Sequence, residues 1–210
     1  QDVAELVADE LGDDYAKLGG LTAEEDLQEP LVRSISKRLP WLVVLLGLGL
    51  VVSSVVGIFE RVVTHLAVVI CFQSLVLDMA GNVGTQSLAV TIRVLMDEEV
   101  SSRQKLALIG KEARIGLVNG MILGGLSFLA IGLYLMVMKG HPPFFAFSAA
   151  LLAAMLLSSI VGTIVPILFK RLGVDPAVAS GPLITTVNDL VAVTAYYGLA
   201  WGLLINLLHF

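Results

Sequence analysis

Asp78 and Asp189 are carboxylates set inside long apolar runs. An ionised side chain at bilayer depth costs at least ~2.5–3.5 kcal/mol, so each should face protein or water, and such a group marks an ion pathway by default. The plainer alternative is a carboxyl held protonated or hydrogen-bonded to a neighbouring helix. The neighbours of Asp189 are informative. Ser180-Gly181-Pro182 reads as a helix start with Pro in its first turn, which puts Asp189 about 10 Å along that helix. Gly181, Thr185, Asp189 and Ala192 then share one stripe by i,i+4 and i,i+3 spacing. Small and hydroxyl-bearing residues beside a carboxylate leave room for a hydrated cation. A face that only packed would be large and apolar.

Asp78 precedes a second polar cluster, AGNVGTQS at 80–87. Its two glycines permit close helix approach and a locally loosened backbone. Freed carbonyls at that depth are tolerated only when buried or lining a wet cavity. Simple tight helix packing is the competing explanation. The donors on offer are carboxylate, hydroxyl and carbonyl oxygens. His65 and His141 fall in loops, His209 near the chain end, and the single Cys71 inside an apolar run, so soft transition metals are disfavoured. Mg2+ sheds water reluctantly and is held through its waters by one or two carboxylates. One Asp189 per chain balances one charge; a twofold dimer with a pore on its axis would bring two.

These residues need a membrane scaffold to position them. The chain of 210 residues is 57% hydrophobic and 15% charged, with mean hydropathy +0.89. Ten of its 18 Asp and Glu lie in the first 30 residues. The resulting net charge of −5 argues against nucleic acid as a partner. Five apolar stretches follow, at about 41–59, 62–95, 107–138, 144–169 and 182–208. Crossing a ~30 Å hydrocarbon core takes ~20 residues. The expected fold is therefore an all-α integral membrane protein with five transmembrane helices. Eleven Lys and Arg fall on one side of that topology and only Arg61 and Lys139 on the other. The positive-inside rule then puts the N-terminus in the cytoplasm and the C-terminus outside, in a cell membrane.

Residues 2–18 place Val3, Leu6, Val7, Leu11, Tyr15 and Leu18 near one face and Asp and Glu opposite, as an amphipathic helix requires. Gly19 and Gly20 should end it, Thr22 with Glu25 reads as a capping box, and Pro30 marks a restart. Residues 1–40 thus read as a cytoplasmic helical region and 41–210 as the membrane domain. The chain opens on Gln1 with no basic, short-apolar leader, so no signal peptide is visible, and a start without Met is expected of a fragment.

The segments GVDPAVASGPLITTVNDL (173–190), AGNVGTQS (80–87) and GHPP (140–143) resemble the transmembrane domain of the MgtE magnesium channels. The resemblance covers essentially the whole chain, and its 173–190 match is the specific one. It implies a homodimer with five transmembrane helices per subunit and a pore between subunits. It implies that Asp189 recognises hydrated Mg2+, with backbone oxygens near Gly81, Asn82 and Thr185 lining the same site. Asp175 matches an acidic position that binds Mg2+ at the cytoplasmic mouth. Residues 2–18 match a helix that plugs the pore at high internal Mg2+, where Asp9, Glu10, Asp13 and Asp14 could share ions with Asp175. Gly181 departs from the Asn that relatives can carry, which removes one side-chain contact to the ion's waters. The regulatory domains of many members have no counterpart within these 210 residues, either because the sequence is trimmed or because this branch lacks them.

The favoured activity is passive Mg2+ permeation with no covalent chemistry. Exchange of Mg2+ for Na+ or H+ is the related alternative. A non-transporting scaffold is a third reading. An intramembrane aspartyl protease built on Asp78 and Asp189 is a fourth, weakened by the absence of a Gly-x-Gly-Asp setting.

Overall fold

A computed structural model describes residues 3–21, 28–63, 67–96, 100–137, 144–179 and 181–202. Six α-helices account for nearly all of them: α1 (Val3–Leu18), α2 (Leu31–Val63), α3 (Ala67–Met96), α4 (Ser102–Val137), α5 (Phe144–Arg171) and α6 (Gly181–Ala200). A 3₁₀ turn, Pro176–Val178, links the last two. The capping box at Thr22 and Glu25, the GHPP loop, His65, His141 and His209 lie outside the described residues.

Among the described residues, four helical segments are long and apolar enough to cross a membrane: Leu31–Phe59, Ser102–Tyr134, Ser148–Arg171 and Gly181–Ala200. The 30-residue α3 covers the expected second span. Gln73, Asp78, Asn82, Thr85 and Gln86 interrupt its hydrophobic run. α2 begins right after Pro30, ten residues ahead of the first apolar stretch, and continues through Pro40. α1 stops where Gly19-Gly20 required. Gly20 adopts φ +82°, and its N–H and that of Leu21 bond back to Lys17 and Ala16 carbonyls, both at 2.9 Å. That is a Schellman end, which only a residue without Cβ enters cheaply.

α3, α5 and α6 form the centre of the bundle, with α4 against α5 and α2 against α6. Val76, Ala80, Val83, Met155, Ala192, Val193, Tyr196 and Tyr197 fill the core between them. The small residues set the helix spacing. A Cβ on Gly162 would lie 2.3 Å from the Gly84 carbonyl oxygen, so α3 and α5 touch backbone to backbone there. On α4, Gly116, Gly120 and Gly124 recur every fourth residue and meet Ser159, Leu152 and Ser148 of α5. Such small-xxx-small stripes let helices gain dispersion contact where lipid offers no hydrophobic drive.

The polar run 80–87 does not loosen the backbone as expected, since α3 is an unbroken helix throughout. Its glycines serve packing instead. A Cβ on Gly81 would sit 3.2 Å from Thr185 Cγ2, and one on Gly84 would collide with the Asn188 amide at 1.6 Å. These contacts bring α6 close enough to α3 for their polar side chains to share one space.

Candidate functional site

That space is a cavity of about 590 Å³ on one flank of α3 and α6. Its polar lining is Gln73, Ser74, Asp78, Asn82, Thr85, Thr185 and Asp189, with Gly81 at its floor and Ile70 and Leu77 at its apolar margin. Positions 74, 78, 81, 82 and 85 of α3 fall on one face by i,i+3 and i,i+4 spacing. Thr185 and Asp189 sit one turn apart on α6. The two carboxylates that the sequence singled out therefore open into the same volume.

The local hydrogen bonds determine what this lining presents. Thr185 Oγ1 donates to the Gly181 carbonyl at 2.9 Å, and Thr85 Oγ1 to the Asn82 carbonyl at 2.9 Å. Each hydroxyl proton is engaged by its own helix, so the oxygen lone pairs remain to accept. Asn82 Nδ2 donates to Asp78 Oδ2 at 3.3 Å. Behind them, Tyr197 Oη donates to Gln73 Oε1 at 2.6 Å and stacks on Phe59, with ring centroids 5.7 Å apart. Besides Gln73 and Ser74, the cavity thus offers as acceptors the Asp78 and Asp189 carboxylates, the Thr85 and Thr185 hydroxyl oxygens and the Asn82 amide oxygen.

Acceptors suit an ion that keeps its waters, because metal-bound water is a donor. A hexaaqua Mg2+ has a radius of roughly 3.5 Å and a volume of roughly 180 Å³, which the cavity accommodates. Among the described residues no three His, Cys, Asp or Glu side chains converge as a direct metal cage. Asp78 is exposed and Asp189 half-buried in the single chain, so the cavity opens sideways from the bundle.

Other expected site residues separate from this group. Ala192 is fully buried in the core, apart from the lining of this cavity. Gly181 lies under the end of α1, where an added Cβ would be 3.7 Å from the Leu18 carbonyl. The carbonyls expected to line the site at Gly81 and Asn82 belong to a continuous helix, and Asn82 O already accepts from Thr85.

Asp175 stands apart, in the turn that precedes α6. It caps the 3₁₀ turn by accepting from the Ala177 N–H at 2.9 Å. Its Oδ2 also receives Lys17 Nζ at 2.9 Å, while the same ammonium lies 2.8 Å from Asp13 Oδ2. Burial pushes the Asp175 carboxyl up, but the hydrogen bonds from Lys17 and Ala177 and the Lys17 charge outweigh it and hold it below its usual range. Hydrogen bonds to Asp13 and Asp175 raise Lys17 well above the ordinary lysine value. The cation between these two acidic side chains is therefore supplied by the chain itself. Asp14 and Asp175 rim a second, mostly apolar cavity of about 360 Å³ under α1, lined by Leu11, Tyr15, Leu18, Ile92, Leu95 and Ala177. The side chains of Asp9 and Glu10 lie outside the described residues.

The sequence reading passed over Glu112. It sits between Lys111 and Arg114 near the start of the third apolar stretch, and it is only 3% exposed and bonds to Ser87. The periodicity of Glu112, Gly116, Gly120 and Gly124 could have placed it on the packed face of α4.

A family model described as a divalent cation transporter matches residues 73–199. The chain is 38% identical over 201 residues to a magnesium transporter MgtE of Enterococcus faecalis, covering 95% of this chain and 43% of that protein. It is 34% identical over 200 residues to the protein of that name in Bacillus subtilis, covering 95% and 44%. The Thermus thermophilus protein of that name is 31% identical over 203 residues, again 95% and 44%. The chain spans less than half the length of these relatives.

Proposed function

The chain belongs to the MgtE divalent cation transporter family, and on that premise we propose that it forms the membrane pore half of a magnesium-conducting protein. The observation that carries this reading is the shared cavity of Asp78, Asn82, Thr85, Thr185 and Asp189. Hydrated Mg2+ is the substrate, gripped through its waters by acceptors and released by the same weak, outer-sphere contacts. Ion passage down its gradient requires no covalent step.

In this reading α3 is a fifth crossing alongside the four apolar ones. Its polar face is not for lipid: a carboxylate such as Asp78 at that depth demands water or protein opposite. A second copy meeting this flank on a twofold axis closes the cavity into a pore and places a second Asp189 near the first. The end of the bundle bearing α1, Lys170 and Arg171 faces the cytoplasm, in keeping with the distribution of Lys and Arg. α1 lies over the start of α6 and acts there on access to the pore. Residues 1–40 are its cytoplasmic part, and the remainder spans the membrane.

The deciding experiment is Mg2+ uptake into liposomes carrying the purified chain and its Asp189→Ala variant. Loss of a charge-assisted contact of about 1.5–3 kcal/mol should lower flux by roughly 10- to 100-fold. Unchanged uptake and ion selectivity would remove Asp189 from the mechanism. Repeating the assay with imposed Na+ or proton gradients separates passive conduction from exchange.

A further inference from the structure

Hydroxyl groups on the long helices commonly donate to a carbonyl one turn back, as Thr163, Thr185 and Thr194 do. Ser87 and Thr91 of α3 do not. Ser87 Oγ donates to Glu112 Oε2 across the helix interface at 3.0 Å. Thr91 is one turn further along the same stripe, fully buried, and its Oγ1 has no hydrogen-bond partner. Glu112 Oε1 is likewise buried and unpartnered. Among the described residues no Lys, Arg or His pairs with this carboxylate.

A carboxylate removed from water with one oxygen unmet costs several kcal/mol unless a positive charge joins it. The hydroxyl oxygen bonded to it, on Ser87, and the unpartnered one a turn along α3, on Thr91, are neutral, which suits a hard cation. One negative charge is balanced by one positive charge, whereas a divalent ion would leave a net buried charge. We propose that Glu112, Ser87 and Thr91 form a binding site for a small monovalent cation, Na+, between α3 and α4. The site is distinct from the Asp189 cavity. Asn82 and Thr85 face that cavity, while Ser87 and Thr91 are buried on another side of the same helix. An ion held there braces α3 from behind, and the inference stands whatever crosses through the cavity.

Two measurements on the purified chain test it: thermal unfolding in NaCl, KCl or choline chloride at constant ionic strength, and equilibrium binding of radiolabelled Na+. The expected results are saturable Na+ binding and a Na+-specific Tm rise of about 3 °C. Glu112→Gln should abolish both, and Thr91→Val should weaken binding several-fold. Asp189→Asn should leave both intact, so this site and the transport reading fail independently. Should Glu112→Gln not fold, Ser87→Ala and Thr91→Val give the same readout through labelled Na+. Equal Tm in the three salts, absent Na+ binding, or a Na+ response that survives these substitutions overturns the proposal. A bridging water or a proton on Glu112 would produce that null pattern.

Discussion

Lys17 Nζ donates to Asp175 Oδ2 at 2.9 Å across 158 positions of sequence, pinning the first helix to the turn that launches the last. Asp13 holds the same ammonium from the other side at 2.8 Å. α1 is thereby held over the bundle end by a charge of its own.

Lys17→Met should loosen α1. The groups are partly exposed, so the pair is worth about 1 kcal/mol or less. Amide exchange in residues 11–18 should rise up to roughly fivefold, and basal Mg2+ flux in liposomes should rise with it. Asp175→Asn should reproduce the effect, and the double variant should add little. Unaltered exchange in both variants would strip the bridge of any part in docking α1.

Acidity should release the same contact. Asp175 has its folded pKa lowered, so its contribution is present above the unfolded value near ~4 and lost as pH falls through the folded one. Lys17 has its folded pKa raised, so its contribution is full below ~10 and lost as pH climbs through the folded value. Exchange in α1 should therefore be insensitive to this pair between about pH 5 and 9 and rise below about pH 4. In the Lys17→Met variant the acid-induced rise should shrink.

Gly162→Ala should be among the most damaging single-methyl changes in the membrane bundle. The new Cβ would fall 2.3 Å from the Gly84 carbonyl oxygen, a backbone atom that cannot rotate aside. Overpacking of this kind costs about 1–3 kcal/mol and should lower the Tm by several degrees. Gly110→Ala meets nothing within 4 Å and should be neutral or stabilise by up to ~1 kcal/mol. Equal Tm values for the two variants would contradict the close α3–α5 contact.

Thr185→Val keeps the shape of the side chain but deletes an acceptor in the cavity. Thermal stability should change by less than about 1.5 kcal/mol, because the lost bond to Gly181 is local. Mg2+ flux should fall several-fold, and Thr185→Ser should restore most of it. Wild-type flux in Thr185→Val would assign the hydroxyl to helix geometry alone.

Much of this was legible from residue order. Composition and the apolar stretches give helices of membrane length, Gly19-Gly20 end α1, and Pro30 directly precedes α2. The polar residues at 78–85 and 185–189 stand out because hydrocarbon penalises them wherever they face. Helical periodicity also groups them onto faces before any coordinates are known. The outcome for 80–87 shows the limit of that reasoning. Glycines next to polar residues fit either a broken helix or a tightly packed one, and only the contacts with Thr185, Asn188 and Gly162 decide for packing.

Sequence by itself determined the class of solvent, the helix lengths and the chemistry of the candidate ligands, since each follows from side-chain solvation and local backbone preference. Tertiary structure decided which faces meet. It buried Ala192, opened Asp78 and Asp189 into one cavity, drew Glu112 inward to Ser87, and set Lys17 between Asp13 and Asp175. The reason is physical: a helix's own period says which residues point the same way, but their partner comes from packing between segments far apart in the chain.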